Sequence, residues 1–148
     1  DFTFVGDGPD KACLMQMVRD MNLKRVQFLE PVTKEEIPTI IKNADVLIVP
    51  LKIQLTGAVP SKLYEAMSVG KPVILIAQSE AAEIVENAQC GLVVRPGDID
   101  GIVDAINYLK SYPEQAKQMG QNGRQAVCQN YDRAKIADQF AEFLFNEM

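Results

Sequence analysis

Ser61, Lys62 and Glu65 stand within one short stretch, residues 59–72, that reads Val-Pro-Ser-Lys-Leu-Tyr-Glu-Ala-Met-Ser-Val-Gly-Lys-Pro. Read as a helix, this stretch could bind an anion. The first N–H groups of a helix have no intrahelical partner, and the helix dipole places partial positive charge beside them. Phosphate is a natural ligand at such an end. Lys62 adds a full positive charge. Glu65, about one turn further on, can accept hydrogen bonds from two adjacent hydroxyls, as on a ribose. A phosphate-binding end with a carboxylate one turn in suggests a nucleotide. The plainer reading is a solvated helix face with a loose Lys62–Glu65 pair, and exposed charges of that kind do little. Spacing alone does not separate the two.

The helix itself is marked at both ends. Pro60 suits the first helical position, where its missing N–H would have no partner and its φ is already helical. Gly70 suits the left-handed position just past the end, and Pro72 blocks continuation. Leu63, Ala66 and Met67 share the face to be buried, while Ser61, Lys62 and Glu65 lie on another. Side chains lean toward the helix N-terminus, so Glu65 points back over Ser61 and Lys62.

Composition narrows the chemistry. The 148 residues suffice for one domain with a core, and 47% hydrophobic and 24% charged residues are ordinary globular values. A net charge of −5 argues against a nucleic-acid binder. No apolar run approaches membrane-spanning length and no signal-peptide pattern is visible; the chain opens on Asp1 rather than Met, so a start further upstream is an expectation, and cysteines without framework spacing suggest a reducing compartment such as the cytoplasm. Cys13, Cys90 and Cys128 have no framework spacing and read as free thiols, most simply as small buried hydrophobes. There is no histidine, which removes Ser-His-Asp and Cys-His chemistry and His-based zinc sites. No Asp/Asn-rich calcium loop appears. Catalysis would have to use carboxylates, lysines, backbone dipoles or the substrate itself.

The elements that must position these residues follow in order. Residues 2–5 read as a buried strand ending in the turn Gly6-Asp7-Gly8-Pro9; the third glycine of a dinucleotide fingerprint is absent, since Lys11 stands there. Asp10 is expected to cap a helix to about Met21, with Leu14, Met17, Val18 and Met21 on one face. Residues 26–29 form the next strand. Thr33 and Glu36 make a capping box for a helix over 34–42, whose first turn Pro38 distorts. The apolar run 44–50 fits a parallel strand covered on both faces, with Asp45 as a structural residue. A loop over 51–59 then leads into the helix described above; it leaves the carboxyl end of a strand, where open parallel sheets bind ligands. Strands over 73–76 and 91–94 enclose a helix over 79–87. Asp98 caps a helix with Ile99, Ile102, Val103 and Ile106 inward. Pro113 opens a helix to about Gln129, interrupted by Gly120 and Gly123, and Asp132 caps the last helix. The fold class is therefore α/β: a Rossmann-like doubly wound parallel sheet of about five strands with roughly seven flanking helices.

Six motifs in this order resemble one family. They are Phe-Val-Gly-Asp-Gly-Pro (4–9), Val-Gln-Phe-Leu-Glu (26–30), Asn-Ala-Asp-Val-Leu-Ile-Val-Pro (43–50), Pro-Ser-Lys-Leu-Tyr-Glu-Ala-Met-Ser-Val-Gly-Lys-Pro-Val-Ile (60–74), Ala-Ala-Glu-Ile-Val (81–85) and Cys-Gly-Leu-Val-Val-Arg-Pro-Gly-Asp (90–98). Together they resemble the C-terminal, donor-binding domain of GT-B retaining glycosyltransferases of family 4, over nearly the whole chain. The resemblance implies a donor that is a UDP- or GDP-sugar, no metal, and an acceptor bound by a separate N-terminal domain. It also implies that the acceptor domain and the donor domain's first strand and helix lie outside this sequence, so that the fragment alone is inactive.

Carried over by position, Glu65 matches the second glutamate of the family's Glu, seven residues, Glu motif, which holds the ribose hydroxyls. Lys62 and Leu63, next to Ser61, fall where backbone N–H groups meet phosphate. Phe28, Leu29 and Glu30 match the strand end that borders the base. Thr56, Gly57, Ala58 and Val59 match the segment over the donor sugar. Gly57 departs from the family, which usually has its first, sugar-holding glutamate at that position; Thr56 or Gln54 is the candidate substitute. The Pro-Ser-Lys-x-x-Glu variant resembles a subgroup of bacterial polysaccharide assembly, where lipid-linked acceptors would bring membrane association through the missing domain. The last helix, with Phe140, Phe143, Leu144 and Phe145, resembles the one that crosses back to the N-terminal domain, and a homodimer contact through it is a further expectation. The alternatives are a nucleotide-sugar epimerase of the same architecture, which needs acid/base carboxylates in the cleft, and a non-catalytic nucleotide-binding module, which the loss of the first glutamate fits.

Overall fold

In a computed structural model of the chain, residues 1–51 and 59–146 are described. They fall into two compact units, Asp1–Pro38 and Thr39–Met148.

The first unit contains β1 (Phe2–Val5), α1 (Lys11–Asp20) and β2 (Val26–Leu29). β1 and β2 are parallel, with Phe2 opposite Val26 and Val5 opposite Leu29; β1 is exposed along its length, not buried as expected, because this small unit has too little surface to cover it. The Phe4 and Phe28 rings stack across the pair at 5.0 Å. The Gly6 to Pro9 segment is a turn: Gly6 N–H donates to the Leu29 carbonyl, and Gly8 N–H donates to Asp7 Oδ1 at 2.8 Å. Asp10 stands at the N-cap of α1, but its side chain makes no capping bond. Its backbone is already helical (φ −88°, ψ −8°), whereas a capping carboxylate reaches the next N–H groups from an extended backbone.

The apolar face of α1 does not close into a core. Leu14, Met17 and Met21 remain exposed, and with Phe2, Phe4, Val26 and Phe28 they line an apolar groove of about 660 Å³. Two strands and one helix offer too little surface to seal it. After β2 the capping box forms as expected, with Thr33 N–H and Oγ1 both donating to Glu36 Oε2 at 2.9 Å. These bonds hold the Glu36 carboxyl below its ordinary range. Regular helix begins only at α2 (Ile37–Lys42), not at residue 34, so Pro38 falls in its first turn, where a missing N–H costs nothing.

The second unit holds β3 (Leu47–Pro50), α3 (Ser61–Ser68), β4 (Val73–Ile76), α4 (Glu80–Asn87), β5 (Gly91–Val94), α5 (Ile99–Ser111), α6 (Pro113–Asn130) and α7 (Arg133–Asn146). β3, β4 and β5 form a parallel sheet in that order, with Val73 opposite both Leu47 and Gly91. β4 is central and nearly all buried. Alternation along it feeds two cores: Val73 and Leu75 pack with Leu63, Met67, Val85 and Cys90, while Ile74 packs with Val94, Ala105 and Leu109. Helices thus cover both faces of this sheet, which is why its strands read as continuous apolar runs.

The expected five parallel strands are present, and their hydrogen bonds group them as β1–β2 and β3–β4–β5. β3 begins at Leu47 rather than at residue 44, because the N–H groups of Asn43 and Ala44 still bond to carbonyls of α2. In α5, Ile102 and Ile106 pack on the core as expected, but Ile99 (72% exposed) and Val103 (50%) face outward. Asp98 does cap α5, accepting from Gly101 N–H at 2.8 Å, and Asp132 Oδ1 caps α7 through Ala134 N–H at 2.9 Å.

α6 runs unbroken through Gly120 and Gly123, contrary to the expectation of an interruption. These glycines serve the approach of α3. A Cβ on Gly120 would lie 2.1 Å from the Gly70 carbonyl oxygen, and one on Gly123 would lie 3.1 Å from Cys90 Cβ and 3.5 Å from Met67 Cα. Gly70 itself takes φ +73° just past the C-cap of α3, the expected left-handed stop. Of the three cysteines only Cys90 is buried; Cys13 and Cys128 are exposed, since both lie on helix faces turned to solvent.

Two outcomes follow. Gly120→Ala drives a methyl group into backbone and lowers stability by about 1–3 kcal/mol, read from the urea midpoint, whereas Gln121→Ala on the exposed face of α6 shifts it by less than about 0.5 kcal/mol. Burial pushes the Cys90 thiol up to about 11 from 9.0, so folding favours its protonated form. That contribution is complete below about pH 9 and is lost as pH rises through 9 to 11, by at most about 1.4 kcal/mol per pH unit. A thiol reagent at pH 8 should label two cysteines promptly and the third only on unfolding.

Candidate functional site

The ends and the buried face of α3 set where each residue of this stretch stands. Pro60 precedes the first helical residue instead of occupying it: its ring gives φ −68°, but ψ of 134° keeps it extended, in the N-cap position. Its carbonyl accepts the Leu63 N–H at 3.0 Å, which leaves Ser61 and Lys62 as the first N–H groups with no partner inside the helix. Leu63 and Met67 are fully buried and Ala66 nearly so. Each of the two large side chains contributes about 1.5–3 kcal/mol of burial, enough to fix the helix's rotation. Ser61, Lys62 and Glu65 are then exposed together on the other side.

Glu65 forms no ion pair with Lys62; among the described residues the ion pairs are Lys11–Glu30 and Arg25–Asp1. Its backbone carbonyl accepts the Ser68 hydroxyl at 2.7 Å, and its carboxylate remains accessible to solvent. Val59 is half-buried against the core at the entry to α3. Beside it lies a cleft of about 320 Å³ that also takes in Glu80, Glu83, Asn87, Asn130 and Tyr131. Tyr131 packs on Tyr64 with ring centroids 4.7 Å apart. Burial, and then the Tyr131 phenol, push the Tyr64 hydroxyl above its ordinary range. The sequence reading did not single out this cleft. Its residues come from α4 and the end of α6, and no local spacing announces that they meet.

Phe28, Leu29 and Glu30 lie together at the end of β2 in the first unit. Phe28 is half-buried on Phe4, while Leu29 and Glu30 are exposed. Glu30 Oε1 accepts from Lys11 Nζ at 3.0 Å, a partner nineteen positions away that the sequence did not suggest. Thr56, Gly57 and Ala58, with Gln54, lie outside the described residues. Among the described residues no three His, Cys, Asp or Glu side chains gather as metal ligands, and no helix is long and apolar enough to cross a membrane.

What this arrangement can do is hold an anion at backbone donors and accept hydrogen bonds one turn away. Known proteins resemble the chain in sequence and in fold. A GDP-mannose-dependent α-(1-6)-phosphatidylinositol monomannoside mannosyltransferase of Mycobacterium tuberculosis is 30% identical over 145 residues, covering 95% of this chain and 38% of the enzyme. The structure of sucrose-phosphate synthase from Thermosynechococcus elongatus superposes with a TM-score of 0.84 at 27% identity, over 99% of this chain and 39% of that one. Anabaena Alr3699/HepE in complex with UDP-glucose gives 0.83 at 25%, over 97% and 40%. The chain thus spans under two fifths to two fifths of the length of these proteins. Its fold is the parallel α/β arrangement of one half of a GT-B glycosyltransferase. The family described as "Glycosyl transferases group 1" matches residues 1–126, and the chain belongs to that family.

Proposed function

We propose that this chain is the donor-binding part of a glycosyltransferase that moves a sugar from a nucleoside-diphosphate sugar to an acceptor in bacterial glycoconjugate synthesis. The observation that carries this reading is Glu65, exposed on α3 one turn in from unpartnered backbone donors, with Lys62 beside it. The diphosphate sits at the Ser61 and Lys62 N–H groups and the Lys62 ammonium. The ribose hydroxyls donate to the Glu65 carboxylate. UDP-glucose in the HepE complex and the GDP-mannose dependence in the mannosyltransferase's name support a nucleoside diphosphate as the common element.

The reaction proceeds with retention and without a metal. Backbone dipoles and cationic side chains stabilise the charge that grows on the departing diphosphate. The rest of the full-length protein supplies the acceptor domain, and this chain alone is inactive. Phe140, Phe143 and Leu144, all exposed on α7, support a homodimer contact through that helix. The protein works in the cytoplasm, at the membrane where the acceptor is lipid-linked.

Calorimetric titration of the full-length protein with UDP, GDP and their sugars tests the reading. One of the two nucleotides binds, and Glu65→Ala weakens it by the loss of charge-assisted hydrogen bonds, about 1.5–3 kcal/mol, or roughly 10- to 150-fold. Because Glu65 is exposed, the same substitution leaves folding stability within about 0.5 kcal/mol. Failure of the intact protein to bind any nucleotide overturns the proposal and leaves a non-catalytic interaction module.

A further inference from the structure

The cleft beside Val59 is left without a role by the donor site, yet it has the build of a small-ligand site. Glu80, Glu83, Ile84, Asn87 and Ala88 recur at the three- and four-residue spacing of one helical face, so α4 forms one wall. Ala126, Asn130 and Tyr131, from the end of α6 and its C-cap, form the other. The floor is apolar: Val59, Ile84, Ala88 and Ala126 are half-buried against the core. The rim is polar, with Glu83, Asn87 and Asn130 exposed and Tyr131 half-buried. Among the described residues the side chains of Glu83, Asn87 and Asn130 have no hydrogen-bond or ion-pair partner. An apolar hollow edged by a few convergent polar groups is how proteins hold small molecules.

The lining selects among ligands. Two carboxylates and no lysine or arginine line the cleft among the described residues, so an anion is repelled. A metal ion finds no set of three ligands among the described residues. At about 320 Å³ the cleft stands at the small end of ligand pockets, about 300–1,000 Å³, with room for one ring and none for a peptide helix. A pyranose meets each feature. Its C–H flank covers the apolar floor and the tyrosine ring. Its hydroxyls donate to the Glu83 carboxylate and exchange hydrogen bonds with the Asn87 and Asn130 amides and the Tyr131 hydroxyl.

The sugar of a bound donor is not the occupant. α4 starts past the carboxyl end of β4 and runs back along the sheet. From Glu80 to Asn87 the cleft therefore descends about 10 Å from the rim at which α3 begins. A sugar tied to a diphosphate at Ser61 and Lys62 is tethered at that rim. We propose that the cleft is a second carbohydrate site, which binds one uncharged pyranose unit that carries no nucleotide. Only the distinction from the donor's own sugar rests on the donor-site reading.

Saturation-transfer NMR on the full-length protein, with UDP and GDP held in excess, tests the site with the methyl glycosides of glucose, mannose, galactose and N-acetylglucosamine. At least one of them binds with a dissociation constant of about 1–10 mM or tighter. Replacing two exposed rim residues together, Glu83→Ala with Asn130→Ala, weakens it at least about tenfold and leaves the fold intact. Binding of none of these glycosides overturns the proposal, as does binding that the double variant leaves unchanged. Displacement by a nucleotide sugar but not by its nucleotide also overturns it, since the donor's own sugar then fills the cleft. The two sites fail separately. Nucleotide bound without glycoside sinks this inference alone, and glycoside bound without nucleotide sinks the donor-site reading alone.

Discussion

The second unit depends on how closely α3 lies against α6. Backbone meets backbone where Gly120 faces the Gly70 carbonyl, and the Met67 backbone lies against Gly123. Any side chain at Gly120 would push the helices apart. With that contact made, Leu63, Ala66 and Met67 are driven into the core beneath Val73 and Leu75, and α3 has no freedom to roll. Eight helical residues would not hold together alone in water; their order comes from this packing. The exposed position of Ser61, Lys62 and Glu65 is a consequence of what the opposite face buries.

That dependence explains what could be read from the sequence. β1, β2, β4 and β5 were legible because short β-prone stretches, apolar throughout in β4 and broken only by Thr3 in β1 and Gln27 in β2, stand between turn residues. Gly70 was legible as a stop, because a left-handed residue before Lys71-Pro72 has a local cause. Gly120 and Gly123 were not. A glycine that breaks a helix and one that lets a neighbour approach look alike in sequence, and only the partner helix distinguishes them. The failed cap at Asp10 is similar: residue type was right, and the backbone angle at that position undid it. Leu14, Met17 and Met21 carried a true amphipathic signal, but periodicity says which residues share a face, not that anything covers it.

The candidate site shows the same division. Glu65 and Lys62 were legible because both sit on one short helix, where spacing is geometry. The Lys11–Glu30 pair and the Val59, Glu83, Tyr131 cleft join residues distant in sequence, so no spacing rule reached them. Phe28, Leu29 and Glu30 came by resemblance, and their local order rests on the Phe4 stack and the Lys11 contact.

A carboxylate beside a diphosphate would seem to work against binding, and magnitudes settle why it need not. One helical turn separates Glu65 from the N-terminal donors, about 5.4 Å along the axis. At that distance two unit charges repel by only about 0.8 kcal/mol in a water-like medium, and Glu65 is exposed to solvent. Each hydrogen bond from a hydroxyl to a carboxylate contributes about 1.5–3 kcal/mol. The balance is favourable only for a ligand that carries donors at the right reach from its anion. Inorganic phosphate would meet the repulsion without the hydroxyl hydrogen bonds that offset it, and a ribose diphosphate would meet both terms. On the proposed reading Glu65 would be a selector as much as a ligand: in a protein of net charge −5, it would turn a general anion site at a helix end into one that demands a sugar beside the phosphate.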